Sequence, residues 1–319
     1  MTAQILTHSA QAIKHATSLL SQGELVAFPT ETVYGLGADA TNDRAVKNIY
    51  KTKGRPSNNP LIIHLADIEQ IEEFAILDET SRQLGGLFWP GPFTVILKRK
   101  ADCKLAPTVT AGLDTIAVRI PAHALARDLI RSFGKPIAAP SANPSGKLSP
   151  THAHHVLESL GHKLPLILEG GACEQGVEST IIQCEADHIK LLRPGTITRQ
   201  QIQQASSLEI INFEDAQNPT APGQLKSHYA PHKPVYLNVT SPATDHAYLA
   251  FGTLTEDLKR HNILLNLSSD GNLAEAAQNL FDMLHQLDHT DATAISVAPI
   301  EDKYIGHALN DRLRRAAYK

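Results

Sequence analysis

The segment KTKGRPSNNPL, residues 51–61, places cations beside a turn that two prolines make rigid. Lys53 and Arg55 flank Gly54, and Pro56 follows directly. A turn of fixed shape that carries Lys as a compact charge and Arg as a planar fork suits phosphate binding. Cations also stabilise the C-terminus of a helix, which accounts for Lys51 equally well. The spacing therefore predicts a phosphate site at Lys53 and Arg55.

A second polar segment, IAAPSANPSGKLSPT at residues 137–151, has the same character. An apolar strand ends at Pro140, and hydroxyl and amide side chains follow it, among them Ser141 and Asn143. Pro150 suits the first position of a helix, so Ser149 is predicted as the helix cap. The free backbone N–H groups of a helix start attract anions. The segment predicts an anion site, and the alternative is a capped surface loop.

Two arginines, Arg119 and Arg193, each stand at the end of an apolar strand. A buried guanidinium needs an anionic partner, which is either a ligand or the carboxylate of a structural salt bridge. The motif GVEST, residues 176–180, adds Ser179 after a glycine. Together with Lys53, Arg55 and the polar strand ends, these two arginines predict one site for a phosphorylated ligand.

The segment FPTETVYGLGADA, residues 28–40, follows a short apolar strand and begins with hydroxyl groups, an acid and a phenol. Gly35 and Gly37 come next, and glycine accepts backbone conformations and close approaches that other residues resist. Polar groups at the end of a buried strand, before a turn that glycine permits, line the crevices of α/β proteins. The segment predicts one wall of a ligand site, and an ordinary strand-to-helix turn is the alternative.

Several familiar motifs are absent from the sequence. The chain has no GxxxxGK[ST] P-loop and no GxSxG nucleophile elbow. The run GLGADA resembles a dinucleotide fingerprint but stands well beyond the end of its strand. His152, His154 and His155 have no Cys or acid nearby at ligand spacing, so a solvated helix start is predicted and no metal site.

Composition limits the class of protein. The 319 residues carry a net charge of −4, with 42% apolar and 19% charged residues, which is typical of a globular protein. Through residue 210 the chain has 20 Lys and Arg against 20 Asp and Glu, and the remainder has 9 against 13, so neither part has the basic excess of a nucleic-acid binder. No apolar run approaches the roughly 20 residues of a membrane span, and no secretory signal is seen. Three scattered cysteines favour free thiols and a cytoplasmic protein.

The order of apolar runs and helical patterns predicts an α/β domain followed by a smaller α/β unit. The predicted domains are residues 1–210, a linker at 211–234 with four prolines, and a C-terminal domain at 235–319. The predicted helices cover 9–21, 42–53, 68–75, 122–133, 150–160, 272–287 and 306–317. The predicted strands cover 25–28, 61–64, 94–98, 116–119, 137–139, 166–169, 179–184, 189–192, 235–239, 248–251, 263–266 and 294–297.

Six motifs in this order make the chain resemble the YrdC-type threonylcarbamoyl-AMP synthases. They are PTETVYGLG, KxRPxxNPL, WPGPFT, AGLDTIAVRIP, APSAN, and GVEST followed by LLRPG. The linker APGQLKSHYAP and the second α/β unit resemble the longer, two-domain form. The resemblance implies a twisted mixed sheet with helices around a large open cavity, plus a small Rossmann-like C-terminal domain.

The resemblance also implies a reaction: L-threonine, bicarbonate and ATP give threonylcarbamoyl-AMP and pyrophosphate, with Mg²⁺ accompanying ATP. The product would supply the modification of the adenosine beside the anticodon, so tRNA-modifying transfer enzymes, and tRNA itself, are the implied partners, and no membrane. Lys53 and Arg55 would act in catalysis, and Tyr229 would close over the nucleotide from the linker. The implied threonine site is Thr32, His64, Arg119, Ala139 and Ser179. The implied ATP site is Lys53, Arg55, Asn59, Thr115, Ser141, Asn143, Ser149, Arg193 and Tyr229.

Two other classes of protein stay open from the sequence. An RNA-binding or regulatory module of related fold is one, although the balanced charge argues against it. A carbamoyl-transferring hydrogenase-maturation protein is the other, and it would need acylphosphatase and zinc-finger segments. The three scattered cysteines exclude the zinc finger.

Overall fold

The computed structural model describes residues 2–213, 221–223 and 228–318. The described residues form a large mixed sheet of twelve strands and a separate sheet of four. Much of the predicted linker, residues 214–220 and 224–227, lies outside the described residues. All three cysteines are free. Among the described residues, no helix has the length and apolar character needed to cross a membrane.

The large sheet contains the strands up to residue 212. They are β1 (Gln4–Thr7), β2 (Val26–Phe28), β3 (Gly35–Asp39), β4 (Ile62–His64), β5 (Ala75–Ile76), β6 (Phe93–Arg99), β7 (Thr115–Arg119), β8 (Ile137–Ala138), β9 (Leu166–Glu169), β10 (Thr180–Cys184), β11 (His188–Arg193) and β12 (Glu209–Asn212). Their order across the sheet is β1-β9-β2-β3-β8-β4-β7-β6-β10-β11-β12, and β5 pairs with β6.

Six α-helices belong to the part of the chain that forms the large sheet. They are α1 (Ala10–Ser21), α2 (Asp43–Lys53), α3 (Glu79–Phe88), α4 (Ala124–Phe133), α5 (Ala153–Leu160) and α6 (Arg199–Ala205). The caps of α2 show why the sequence ends this helix at Lys53. The Asn42 side chain accepts the N–H groups of Arg44 and Ala45, and Gly54 ends the helix at a φ of 63°.

The C-terminal domain is a four-stranded parallel sheet with two helices, as predicted. Its elements are β13 (Val235–Tyr236), β14 (His246–Ala250), β15 (Leu264–Asn266), α7 (Leu273–Asp288), β16 (Ala294–Val297) and α8 (Gly306–Ala317), in the sheet order β13-β16-β14-β15. Its apolar core is continuous with Val33, Leu148 and Val177 of the first domain. Gly176 makes this close approach possible, because a Cβ there would lie 2.2 Å from the carbonyl oxygen of Ala277 in α7.

Three local predictions differ from the structure. Gly35 and Gly37 belong to strand β3 and not to a turn, and a Cβ on Gly37 would lie 2.8 Å from the ring of Phe28, so the glycine is required by packing. Residues Ile68–Glu73 form a 3₁₀-helix instead of an α-helix. The helix predicted from Pro150 begins at Ala153, because the carbonyl of Pro150 accepts the N–H of Tyr34 and holds the chain against β3. Strands β1, β3, β5 and β12 and helices α3 and α6 had no counterpart among the predicted elements.

Candidate active site

The polar residues that were predicted at strand ends lie together at one end of the sheet. His64 ends β4 and Arg119 ends β7, and the two residues are register partners in these parallel strands. Arg193 ends β11, and the loop after β8 carries Ala139 and Ser141 to the same place. These residues surround a cavity of about 50 Å³. Its lining consists of Thr30, Thr32, Val33, Gly35, Arg55, Ile62, His64, Arg119, Ala139, Pro140, Ser141, Glu178, Arg193, Pro222, Gly223, His228 and Tyr229.

One side of the cavity is built around Arg119. Its Nη2 donates to Oε1 of Glu31 at 2.7 Å, and the other carboxylate oxygen of Glu31 accepts the N–H of Ala122. Arg119 Nε is buried and has no hydrogen-bond partner among the described residues. Of the two anionic partners that the sequence left open for Arg119, the carboxylate of a structural salt bridge is present, and the Nε–H of the guanidinium remains able to donate to a ligand.

His64, beside Arg119, is a neutral imidazole. Burial, and then the charge of Arg119, lowers the pKa of His64 to about 3. Its Nδ1 is buried without a partner in the described part of the chain. A neutral imidazole next to a guanidinium can orient an uncharged or anionic group without adding a second positive charge.

The hydroxyl proton of Thr32 is already used in a hydrogen bond to Thr30. Thr30 Oγ1 donates to the carbonyl of Val33 at 2.7 Å, so in the 2.8 Å contact between Thr30 and Thr32 the donor is Thr32. Thr32 Oγ1 therefore keeps a lone pair for a donor such as an ammonium group. The N–H of Ala139 donates to the carbonyl of Ile62, so its own carbonyl is the group left for a ligand.

Three buried cations on the other side of the cavity have neutral oxygens as partners: Arg55 and Arg193 line the cavity, and Lys53 lies behind its lining. Lys53 Nζ donates to the carbonyls of Ser141, at 2.5 Å, and Asn143. Arg55 donates from Nε and Nη2 to groups of Asn59 and Pro60. Among the described residues, neither Lys53 nor Arg55 forms an ion pair with a carboxylate.

Arg193 is the third of these cations. Its Nε and Nη2 donate to the carbonyl and the hydroxyl of Ser179 at 3.0 and 3.1 Å, and Nη1 donates to the carbonyl of Pro222 at 3.3 Å. Burial is the first cause that lowers the pKa of all three cations, to about 10 for Arg55. Among the described residues, Lys53, Arg55 and Arg193 are therefore solvated by dipoles of the protein, and none of them is paired with a carboxylate.

Of the fourteen residues predicted for the site, eight line the cavity: Thr32, Arg55, His64, Arg119, Ala139, Ser141, Arg193 and Tyr229. Five others act on the lining residues from behind. Asn59 and Ser179 accept from the lining arginines, and Lys53 holds the carbonyl of Ser141. The remaining two are Asn143, whose carbonyl accepts from Lys53, and Ser149, whose hydroxyl donates to Glu178.

Thr115 is apart from the others. It begins β7, whereas Arg119 ends it, and four residues of strand correspond to about 13 Å. It does not line the cavity, and its place in the ATP site stays a prediction. Ser149 is not a helix cap: α5 has His152 at its N-cap, and the Ser149 hydroxyl is occupied by Glu178.

Sequence reasoning missed Glu178 and Arg312. Glu178 lies in GVEST, lines the cavity, and accepts from Ser149 on one oxygen and from Arg312 of α8 on the other. No sequence pattern could have shown this contact, since 134 residues separate the two partners. His228, which also lines the cavity, could have been found as the neighbour of Tyr229.

Tyr229 lies across the cavity with 1% of its surface exposed. Its φ is 59°, in the left-handed region that tyrosine rarely adopts. The next residue, Ala230, donates its N–H to the carbonyl of Gly146 at 2.8 Å. With Pro222, Gly223 and His228 in the lining, the described part of the linker closes the site, so the cavity is small where the resemblance implied a large open one.

The histidines at the start of α5 are not all solvated. His155 is 2% exposed and stacks on His285 of α7, with ring centroids 3.9 Å apart. His154, His155 and Asp282 place possible ligand atoms within 4.8 Å of one another. His155 Nδ1 accepts the N–H of Thr151, so its proton is on Nε2, which faces Asp282 Oδ1 at 3.3 Å and donates to it. The prediction of a solvated start is wrong for His155, because the acid comes from a distant helix of the other domain.

Comparison with known proteins agrees with this architecture. The family model Sua5_yciO_yrdC, described as telomere recombination, matches residues 18–195, and the model of the threonylcarbamoyl-AMP synthase C-terminal domain matches residues 197–318. The threonylcarbamoyl-AMP synthase of Bacillus subtilis is 42% identical over 99% of this chain and 96% of its own length. The synthase of Vibrio vulnificus is 35% identical over 57% of this chain and 98% of its own length.

A solved structure matches both domains. The crystal structure of Pyrococcus abyssi Sua5 complexed with L-threonine has a TM-score of 0.88 and 37% identity, and covers 99% of this chain and 98% of its own. The likeness includes the two-domain organisation as well as the large mixed sheet. This chain belongs to the threonylcarbamoyl-AMP synthase family, in its two-domain form.

Proposed function

We propose that this protein converts L-threonine, bicarbonate and ATP to threonylcarbamoyl-AMP and pyrophosphate. The observation that carries the proposal is that Lys53, Arg55 and Arg193, buried beside the Arg119 pocket, have no carboxylate partner among the described residues. A polyanion and an amino acid are the two ligands that such neighbouring subsites would select.

Threonine would occupy the Arg119 side. Its carboxylate would accept from the Nε–H of Arg119, which the protein leaves without a partner among the described residues. Its ammonium or hydroxyl group would donate to Thr32 Oγ1, and His64 and the carbonyl of Ala139 would complete the pocket. Ser179 would act through Arg193, because its hydroxyl already contacts Thr94 and that guanidinium.

ATP would occupy the side of the three cations. The threonine amine takes up carbon dioxide, derived from bicarbonate, to form a carbamate and release a proton. A carbamate oxygen then attacks the α-phosphorus, and the bond to the β-phosphate oxygen breaks. Negative charge grows on the departing pyrophosphate, where Lys53, Arg55 and Arg193 would stabilise it. Binding three reactants in one pocket supplies the positioning.

We propose that Mg²⁺ enters with ATP and is held by the phosphates. The cavity's own acid, Glu178, fits a metal poorly, since both of its oxygens are occupied by Ser149 and Arg312. When bound, the ion would offset charge on the triphosphate. A metal carried by the nucleotide thus suits the described donor set better than a protein-held one.

The linker would act as a lid. Sites for ligands of this size usually have several hundred Å³, far more than the present cavity of about 50 Å³. The segment carrying Tyr229 would therefore open to admit the substrates and close to keep water from the labile carbamate and mixed anhydride. We expect Tyr229→Ala to release more AMP and threonine per pyrophosphate formed, with exposed Tyr318→Ala as control. An unchanged product ratio would contradict the lid.

The product would be used in the cytoplasm by enzymes that modify the adenosine beside the anticodon of tRNA. The reaction is tested by incubating the protein with ATP, Mg²⁺, bicarbonate and L-threonine. Pyrophosphate release and mass spectrometry of the nucleotides are then followed together. We expect an adenylate heavier than AMP that requires both threonine and bicarbonate; ATP and threonine binding without it would contradict the proposal.

A further inference from the structure

Helix α8 of the C-terminal domain inserts an arginine into the catalytic domain. Arg312 is 1% exposed, and its Nε donates to Oε2 of Glu178 at 2.7 Å. Its Nη2 donates to the carbonyl of Pro194 at 3.1 Å, and its Nη1 donates to Asp311 at 2.6 Å. One guanidinium thus joins an acid of its own helix to two segments that border the active site.

Glu178 is the group that most needs this partner. It is an acid in the lining of a cavity whose other charged groups are cations. Burial alone would raise the pKa of Glu178, but Arg312, then Arg193 and Ser149, outweigh it and lower the pKa. A carboxylate that stays charged here would repel phosphates and attract Arg193 unless another cation neutralised it.

The same guanidinium also supports the tyrosine of the linker. Arg312 Cζ lies 5.1 Å from the centre of the Tyr229 ring, a cation–π distance. The Tyr229 ring also packs on Phe281 of α7, with centroids 5.6 Å apart. A tyrosine backbone at positive φ persists only where its surroundings hold it, and here both of these contacts come from the C-terminal domain.

We propose that Arg312 is a positioning residue that the C-terminal domain supplies to the ATP subsite. By neutralising Glu178 it leaves Arg193 and Lys53 free to meet the phosphates, and by contacting Tyr229 it fixes the closed linker. The inference rests on the proposed function. It gives the second domain a role in nucleotide binding beyond anchoring the linker.

The test compares ATP and threonine binding in Arg312→Gln, Glu178→Gln and the double variant. Calorimetric titrations with ATP in Mg²⁺ buffer and, separately, with L-threonine supply the dissociation constants. We expect Arg312→Gln to weaken ATP binding about tenfold to a hundredfold, because a buried carboxylate is left uncompensated. Threonine binding should stay within about twofold, because its subsite lies on the Arg119 side.

The double variant distinguishes neutralisation of Glu178 by Arg312 from a contact that only holds the two domains together. If Arg312 acts through the charge of Glu178, the double variant binds ATP within about threefold of Glu178→Gln alone. Arg314→Gln, an exposed position on the same helix, is the matched control and should bind both ligands as the wild type does. If Arg312→Gln does not fold, Arg312→Lys takes its place; because it keeps the charge, it should bind ATP with an affinity close to that of the wild type.

Equal losses for both ligands, or no recovery in the double variant, would overturn the inference and leave a structural contact. Normal ATP binding by folded Arg312→Gln would overturn it as well. A wild-type protein that binds no ATP would instead contradict the proposed function, so the two failures can be told apart.

Discussion

The buried cations of this site fall into two groups that differ in what neutralises them. Arg119 and Arg312 each contact a carboxylate, of Glu31 and Glu178, at 2.7 Å. Lys53, Arg55 and Arg193 contact carbonyl, amide and hydroxyl oxygens instead. The charges of the first group are neutralised by carboxylates of the protein, although the Nε–H of Arg119 is left for a ligand. The second group keeps a desolvation cost that an anion can offset.

The pKa shifts of Lys53, Arg55 and Arg193 differ in direction from that of Arg312. Burial lowers the pKa of Lys53, Arg55 and Arg193. Burial also acts against the charge of Arg312, but Tyr229 and Glu178 contribute to a larger opposing effect that raises its pKa. The contrast indicates that Lys53, Arg55 and Arg193 are available to a polyanion, whereas Glu178 already neutralises Arg312.

The largest expected effect comes from removing one cation of the second group. Lys53→Met should slow adenylate synthesis about a hundredfold to a thousandfold, the range seen when one charge-stabilising donor is lost. Steady-state assays of pyrophosphate release would measure it, and the KM for threonine should barely change. Lys51→Met, an exposed residue on the same helix end, is the control.

A comparable loss in Lys51→Met would mean that the phosphate site has been misplaced. A Lys53→Met variant with near wild-type turnover would remove the distinction between the two groups. Thermal unfolding of both variants shows whether either change acts through the fold.

An intermediate effect concerns stability in acid. Burial lowers the pKa of both His64 and His228 to about 3, so each is neutral when folded and takes up a proton on unfolding below its ordinary pKa of 6.5. Their stabilising effect is fully present above pH 6.5 and is lost as the pH falls toward 3. Each should lower the free energy of unfolding by about 2 kcal/mol between pH 6.5 and 5.

Unfolding midpoints measured across this pH range test the prediction. Below pH 6.5, the free energy of unfolding should fall less steeply with decreasing pH in His228→Gln, by the equivalent of roughly one proton. The exposed variant His162→Gln should leave this slope unchanged. An unchanged pH dependence of stability in His228→Gln would show that this imidazole is not held neutral by its buried position among cations.

A smaller effect is expected from the acid that holds Arg119. Glu31→Gln weakens the charge-assisted bond that orients the guanidinium, so threonine binding should fall about tenfold while ATP binding is retained. Separate calorimetric titrations would measure both. Tighter threonine binding in this variant would indicate instead that Glu31 competes with the substrate carboxylate.

The regular elements and the positions of the strand ends could be predicted from the sequence. Apolar runs bounded by prolines and glycines located β4, β7 and β11, and therefore His64, Arg119 and Arg193 at their ends. Parallel pairing then brings His64 and Arg119 together without further information. Local patterns sufficed because each of these residues is placed by its own strand.

The missed features depend on contacts between distant parts of the chain. Ser149 was predicted as a helix cap because the residues around it are typical of a helix start. In the structure its hydroxyl bonds to Glu178 and the carbonyl of Pro150 bonds to Tyr34, so the helix begins three residues later, at Ala153. Gly37 looked like part of a turn, but the ring of Phe28 in the adjacent strand is what requires it. The pairing of Glu178 with Arg312 joins two domains and has no local signal.

We propose that Lys53, Arg55 and Arg193 form a polyphosphate subsite distinct from the Arg119 pocket. The most direct measurement is calorimetric titration of the wild type and Lys53→Met with inorganic tripolyphosphate and, separately, with L-threonine. We expect tripolyphosphate to bind the wild type, to bind more weakly as salt rises, and to lose its binding in Lys53→Met, while threonine binds both proteins alike. Tripolyphosphate binding that Lys53→Met leaves unchanged, or its absence in the wild type, would show that these cations do not form a polyphosphate subsite.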